Sequence, residues 1–283
     1  MTSIPQIVGI IGYPLGHTLS PVMHEAAFKK CKLNMRYIPF EVRPQKLSTA
    51  IMGMRALNIT GLNVTIPHKE TVMEFVDEFD EKAQKIGAVN TIHCVDNKLV
   101  GYNTDAIGFL NSLIDEGGFN PKGKKAVVFG AGGAARAITA SLALAGIQRM
   151  VITDIQKTSA VILSRHLKRF CDCEITVIDS GEDRALFWSI KESDLLVNAT
   201  PVGIRGAEYI PVMIKSLHHD LFVYDVVYRD TKLVRTAKQK KLKVLNGTGM
   251  LVLQGAESFR IWTGHKPPIG VMRKAVEQHG TKR

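Results

Sequence analysis

The chain has 283 residues, 45% of them hydrophobic and 22% charged, with a formal charge of +11; at roughly 100 to 200 residues per domain, that length suggests about two domains, each able to bury its own core. Its 24 glycines and 11 prolines are too few for a low-complexity or fibrous chain. No stretch approaches the roughly 18 consecutive apolar residues that span a bilayer, and the first residues carry neither a basic segment nor a cleavage site, so a cytoplasmic protein with no membrane partner is expected.

The four cysteines, Cys31, Cys94, Cys171 and Cys173, include one close pair and no second Cys/His cluster to complete a tetrahedral site, so reduced thiols and no metal are expected. The charge raises the question of a polyanionic partner. It is unevenly spread: +1 over residues 1–108, +6 over 109–245 and +4 over 246–283. The densest cluster, Lys238 to Lys243, falls where a helix should end, a pole that favours cations in any protein. Neither a basic recognition helix nor an aromatic RNA-binding platform accompanies it, so no nucleic-acid partner is expected, and a basic nucleic-acid-binding protein is a remote alternative.

Val- and Ile-rich runs alternate with amphipathic stretches of helical length, the pattern of an α/β protein with helices covering a parallel sheet. In chain order, strands are expected at Ile7–Ile11, Met35–Phe40, Gly61–Ile66, Val89–Val95 and Lys98–Tyr102, the last two joined by an Asp96-Asn97 turn. Helices are expected at Pro21–Lys30, with Ser20 at the N-cap, and at Gln45–Leu57, Lys69–Phe75 and Ala106–Glu116. Gly117-Gly118 and Asn120 to Gly123 then punctuate the chain. Beyond them the expected strands are Lys125–Phe129, Met150–Thr153, Ile175–Ile178, Leu195–Asn198, Phe222–Asp225 and Lys243–Leu245, with helices at Ala134–Ala145, Ser159–Arg169, Met250–Trp262 and Val271–Gln278. The division is residues 1–108 with 246–283 as one domain and 109–245 as the other.

The strand Lys125–Phe129 runs directly into Gly130-Ala131-Gly132-Gly133-Ala134-Ala135 and a helix, which fits the dinucleotide fingerprint G-x-G-x-x-A in its required context. Gly130 permits the tight turn, Gly132 removes a Cβ from the path of the pyrophosphate, and Ala135 lets helix and sheet pack closely. Asp154 ends the next strand, where a carboxylate would accept from the ribose hydroxyls; the lesser alternative is a helix N-terminal residue. That carboxylate would repel a 2′-phosphate, which leans the reading to NAD, although Lys157 lies close enough to offset the repulsion.

Oxidising an alcohol needs a hydride carrier and one group that exchanges the hydroxyl proton. Asn63 and Thr65 alternate with apolar residues on a strand that breaks at Pro67, so Lys69 emerges beyond a strand's carboxyl end, where open α/β sheets bind ligands. Asn90-Thr91 and Asn103-Thr104-Asp105 occupy comparable strand exits and suit a polyhydroxylated ligand. An Asp105 beside Lys69 would equip the amine for acid/base work; a surface ion pair or helix-cap residues fit the same spacing. Thr18 and Ser20 could bond a carboxylate at a helix start, and capping alone would account for Ser20. His17 is given no role.

Together these motifs resemble the shikimate dehydrogenase family, with its quinate/shikimate dehydrogenase relatives, almost end to end. The resemblance rests on Thr18 to Pro21, Asn63 to Lys69, Gly87 to Thr91, Gly101 to Asp105, Gly130 to Ala134, Asn198 to Pro201, Asp225 to Tyr228 and Gly247 to Ala256. It implies an N-terminal open α/β substrate-binding domain, a Rossmann-type dinucleotide-binding domain, and C-terminal helices returning to the first. The implied reaction is NADP-linked interconversion of shikimate and 3-dehydroshikimate, a step of aromatic amino acid biosynthesis.

By the same resemblance Lys69 would be the acid/base and Asp105 its partner. Thr18, Ser20 and Tyr228 would bind around the carboxylate, and Thr65, Asn90, Asp105 and Gln254 around the ring hydroxyls. Gly130, Ala131, Gly132, Gly133 and Ala134 would hold the pyrophosphate, with Val226 and Gly247 near the nicotinamide. Two departures stand out: Thr153-Asp154-Ile155-Gln156 replaces the Asn-Arg-Thr-like segment of NADP users, which again favours NAD, and Thr18 adds a methyl to the usual Ser-x-Ser clip. An NAD enzyme preferring quinate is the nearer alternative. The partner is a small molecule, and monomer and homodimer fit equally.

Overall fold

A computed structural model describes residues 4–16, 18–204 and 208–280; His17 lies outside the described residues. The chain divides into two compact units, Met1–Gly108 with Val252–Arg283, and Phe109–Leu251.

The first unit contains β1 (Gln6–Gly12), α1 (Ser20–Cys31), β2 (Met35–Glu41), α2 (Leu47–Ala56), β3 (Ile59–Val64), β4 (Glu78–Phe79), α3 (Glu81–Ile86), β5 (Thr91–Val95) and β6 (Lys98–Tyr102), and α4 (Asp105–Asn111) starts in it. Its sheet has the order β2-β1-β3-β5-β6-β4. β1 pairs in parallel with β2 and β3, but β3 with β5 and β5 with β6 are antiparallel. The expectation of a parallel sheet is therefore corrected for half of this unit. Asp96 and Asn97, both at positive φ (48° and 63°), form a two-residue turn, and so short a link permits only a hairpin.

Three local expectations also change. The helix expected at Lys69–Phe75 is only a 3-10 turn over Thr71–Phe75. The Lys69 carbonyl accepts the Val89 N–H at 2.8 Å, so it is not available to a helical ladder, and Met73 N–H turns to Glu70 instead. Ser20 is the first residue of α1 rather than its N-cap; Leu19 occupies the cap without a side-chain bond, and Thr18 Oγ1 accepts the Ser20 N–H at 3.2 Å. The strand expected at Val89–Val95 begins at Thr91, the Val89 N–H donating to the Lys69 carbonyl.

The second unit holds β7 (Lys125–Phe129), α5 (Gly133–Leu144), β8 (Arg149–Thr153), α6 (Lys157–Leu167), β9 (Glu174–Val177), α7 (Asp183–Lys191), β10 (Leu195–Asn198), α8 (Pro211–Ser216), β11 (Phe222–Asp225), α9 (Lys232–Gln239) and β12 (Val244–Asn246). All its strand pairs are parallel, in the order β12-β11-β10-β7-β8-β9. Counted from β7, this is the 3-2-1-4-5-6 order of a Rossmann-type sheet, with the strand order reversing beside β7. Its core joins Val127, Val151, Leu196 and Val223 on the sheet to Leu186 and Ile190 on α7 and Leu233 on α9. α10 (Thr248–Thr263) leads the chain back to the first unit, where α11 (Ile269–Gly280) packs on α1.

In the first unit, Trp262 of α10 donates its indole N–H to the Ile92 carbonyl at 2.9 Å, over a space left open by Gly61. A Cβ on Gly61 would collide with the Trp262 ring and stand 2.8 Å from the Ile92 oxygen. Gly61→Ala is expected to cost about 2 kcal/mol by overpacking, read as a lower melting temperature; an unchanged one would contradict this fit.

His24 on α1 is fully buried, stacks on Tyr37 at 4.5 Å and 2°, and has no hydrogen-bond partner for either ring nitrogen. Burial lowers its pKa to about 3. The unfolded chain binds this proton near pH 6.5, so the neutral ring's contribution is complete above that pH and is lost as pH falls toward 3. Between pH 7 and pH 5, wild type should lose about 2 kcal/mol more stability than His24→Phe; denaturant titrations at the two pH values giving equal losses would contradict it.

Candidate active site

Lys69 follows β3 in a segment pinned on both sides. The His68 N–H donates to the Thr65 carbonyl at 3.0 Å, and the buried His68 ring bonds the Val42 carbonyl through Nε2 at 2.7 Å. Lys69 Nζ then meets Asp105 Oδ2 at 2.5 Å, with side-chain exposures of 14% and 7%. That burial removes the surface-pair explanation. The capping explanation goes to a neighbour, since Asn103 Oδ1 accepts the Ala106 N–H at 3.2 Å while its amide donates to Ala88 O.

Beside this pair lies a polar cluster with almost no access to solvent: Asn63, Asn90, Thr91, Thr104, Gln254 and Ser258. Asn90 Oδ1 accepts the Thr104 N–H at 2.7 Å, and Asn90 Nδ2 donates to Thr104 Oγ1 at 2.9 Å and to Gln254 Oε1 at 3.4 Å. Asn63 is bonded to Tyr37, Thr91 and Ser258. The sequence flagged Asn63 and Thr104 only as polar residues at strand exits and missed Tyr37 and Ser258, whose signal is a polar residue in an otherwise apolar stripe. Of the expected site residues in this unit, Lys69 with Asp105 and Asn90 with Gln254 are brought into contact. Thr18 and Ser20 sit together at the start of α1, and half-buried Thr65 stands four residues before Lys69.

In the second unit, Gly130 takes φ 110°, a left-handed conformation open to glycine, and a Cβ there would stand 2.9 Å from the Ala199 carbonyl. Gly132 differs: its φ of −79° suits any residue, and a Cβ would meet no protein atom within 4 Å. The space in front of Gly132 is open, at the N-terminus of the 12-residue α5, whose first N–H groups point out of the helix and can meet an anion. Gly133 and Ala134 form the first turn of α5, and Ala135 is fully buried behind them.

Asp154 follows β8; its Oδ2 accepts the Ala131 N–H and its Oδ1 the Gln156 N–H, both at 2.8 Å. The second bond is a local turn, so part of the helix-start explanation holds, yet the first ties the carboxylate to the glycine loop. Each oxygen keeps a lone pair for a ribose hydroxyl. Lys157 pairs with Asp179 at 3.6 Å.

At the carboxyl ends of β11 and β12, Gly247 presses on the Val226 backbone so closely that a Cβ would overlap the Val226 carbonyl. Tyr228 is half-buried two residues beyond Val226. Asp225, fully buried, accepts from Asn198 Nδ2 (3.0 Å), Val227 N (3.1 Å) and Thr231 Oγ1 (2.6 Å), but burial outweighs these donors and raises its pKa to about 6. Among the described residues no group of three His, Cys, Asp or Glu side chains is arranged to hold a metal, and no helix is long and apolar enough to cross a membrane.

A buried lysine–carboxylate pair beside amide and hydroxyl donors can exchange a proton with a hydroxylated ligand, and a Rossmann-type sheet with an open glycine loop can hold a dinucleotide. The comparisons agree with this chemistry. Residues 10–92 match the shikimate dehydrogenase substrate binding domain, and residues 247–277 the shikimate 5'-dehydrogenase C-terminal domain. The shikimate 5-dehydrogenase of Listeria monocytogenes, solved in complex with shikimate and NAD, superposes with a TM-score of 0.89 at 34% identity, covering 98% of each chain. That of Thermus thermophilus, solved with NADP(H) and shikimate, gives 0.85 at 34% identity, covering 96% of this chain and 99% of that one. Shikimate dehydrogenase (NADP+) of Methanopyrus kandleri is 44% identical over 277 residues, 96% of this chain and 95% of the relative. An identity of that size, sustained from one end of the chain to the other and across both units, makes it a member of the shikimate dehydrogenase family.

Proposed function

We propose that this chain interconverts shikimate and 3-dehydroshikimate by NAD(P)-linked hydride transfer, the step its family performs in aromatic amino acid biosynthesis. The observation that carries the reading is the buried Lys69–Asp105 pair beside Asn90 and Gln254. Curated relatives named for shikimate favour that substrate over quinate.

In this reading Thr18 and Ser20 bind the substrate carboxylate, and Thr65, Asn90, Asp105 and Gln254 bind the ring hydroxyls. Lys69 Nζ, as the neutral amine, accepts the hydroxyl proton while the carbon's C–H electron pair leaves as hydride, and Asp105 holds the resulting ammonium. In the reverse direction the Lys69 ammonium returns that proton to the carbonyl oxygen. Gly130 to Ala134 and Asp154 hold the dinucleotide, with Val226 and Gly247 just beyond β11 and β12 of the same sheet; when bound it supplies the nicotinamide that takes up or returns the hydride. Lys69→Ala should lower kcat by about 100- to 10,000-fold, the usual range for an acid/base group, with a smaller change in KM. A near wild-type kcat for shikimate oxidation would refute the assignment.

The cofactor is proposed to be NAD in preference to NADP. The Asp154 carboxylate already faces the glycine loop, Thr153 to Gln156 contain no arginine, and Lys157 is engaged by Asp179. A 2′-phosphate accepted beside Asp154 would meet like charge with no cation committed to it. Steady-state kcat/KM for NAD should exceed that for NADP by about tenfold or more, equivalent to about 1.4 kcal/mol, and Asp154→Ser should narrow the ratio. A tenfold preference for NADP in the wild type would overturn the proposal.

A further inference from the structure

Ser258 lies on α10 one turn beyond Gln254 and is inaccessible to solvent. Its Oγ is 2.8 Å from Thr91 Oγ1, 3.2 Å from Thr104 Oγ1, 2.9 Å from Asn63 Nδ2 and 3.1 Å from the Gln254 carbonyl. Two groups with no choice of role set the directions of these bonds. The Thr104 backbone N–H can only donate, so the Asn90 amide atom 2.7 Å away is the oxygen, and Asn90 turns its NH2 toward Thr104 Oγ1 and Gln254 Oε1. The Asn90 carbonyl can only accept, so the Asn63 atom 3.3 Å from it is the nitrogen, which also donates to Ser258. Both Asn90 amide protons and its oxygen are thus engaged inside the cluster, the oxygen accepting from the Thr104 backbone with the Thr104 and Thr91 hydroxyls at 3.2 Å, so the orientation of the amide is fixed.

Thr91, Thr104 and Ser258 contribute three hydroxyl protons to this cluster, and with exposures of 0%, 1% and 0% none can turn to water. Removing one leaves the others short of a partner, a loss that falls on the side chains they orient. Ser258 is the member that reaches strands and helix together: it joins Asn63 of β3 and Thr91 of β5 to the carbonyl of Gln254 itself.

We infer that Ser258 is a positioning residue for substrate binding, which fixes the Gln254 side chain and the amide orientation of Asn90 through the buried hydroxyls of Thr91 and Thr104. The inference rests on reading Asn90 and Gln254 as substrate ligands. Ser258 touches no reacting atom, so its removal acts on the binding of shikimate rather than on proton transfer at Lys69.

The test is a set of steady-state and thermal-unfolding measurements on the full chain, with shikimate as the varied substrate, for Ser258→Ala, Ser258→Cys, Gln254→Ala, the Ser258→Ala/Gln254→Ala double variant and Trp262→Phe. Ser258→Ala should raise KM about five- to tenfold with kcat within about twofold, and should raise it no further in the Gln254→Ala background. Ser258→Cys, which keeps the size and a weak donor, should give a smaller rise. Trp262→Phe removes a bond docking the next turn of the same helix, and should lower the melting temperature while leaving KM unchanged. An unchanged KM in Ser258→Ala, an additive effect in the double variant, or an equal KM rise in Trp262→Phe would overturn the inference. A Gln254→Ala variant with wild-type KM would instead overturn the reading of Gln254 as a substrate ligand.

Discussion

A lysine ammonium and a carboxylate 2.5 Å apart, with side-chain exposures of 14% and 7%, need a frame that keeps both in place. Burying either one alone would cost several kcal/mol, so each depends on the other and on the backbone that presents it. The frame is visible in the bonds around them. His68 anchors to Val42, the Lys69 carbonyl is held by Val89, and Asn103 takes over the capping of α4 so that Asp105 can face the lysine. The segment from Lys69 gives up helical structure to make this possible, which is why a 3-10 turn at Thr71–Phe75 stands where a helix is expected.

The second unit was the more legible in sequence. Lys125–Phe129, Leu195–Asn198 and Phe222–Asp225 are strands with the boundaries their apolar runs imply, because a strand buried on both faces has no other way to satisfy such a run. The glycine loop was legible from its motif and its strand–helix context; the fold itself demands glycine at Gly130, by its positive φ, and leaves Gly132 unrestricted by backbone or neighbour. Helices α7 and α8 were not legible, nine and six residues being too short to establish an apolar period, whereas the helix end expected near Lys238 is that of α9.

The first unit shows what sequence spacing cannot carry. The Asp96-Asn97 turn announces the hairpin of β5 with β6, but the antiparallel pairing of β5 with β3 is made across a long connection that carries no local signal. The roles of Thr18 and Ser20 at the helix start depend on where α1 begins, and a shift of one residue reassigns them. Asn63 and Ser258 are 195 positions apart and bond at 2.9 Å, a relation that no local pattern announces. Asp154 was open to two explanations; its Oδ1 makes the local turn that the helix-start one requires, while its Oδ2 bonds the Ala131 N–H of the glycine loop, a contact that no local pattern announces.

The acid/base role of Lys69 is tested most directly by chemical rescue. Lys69→Ala, otherwise folded and still able to bind shikimate, should regain turnover as methylamine is added, in proportion to the free-base concentration, because the missing function is a proton acceptor beside Asp105. Full turnover of Lys69→Ala without any added amine would contradict it.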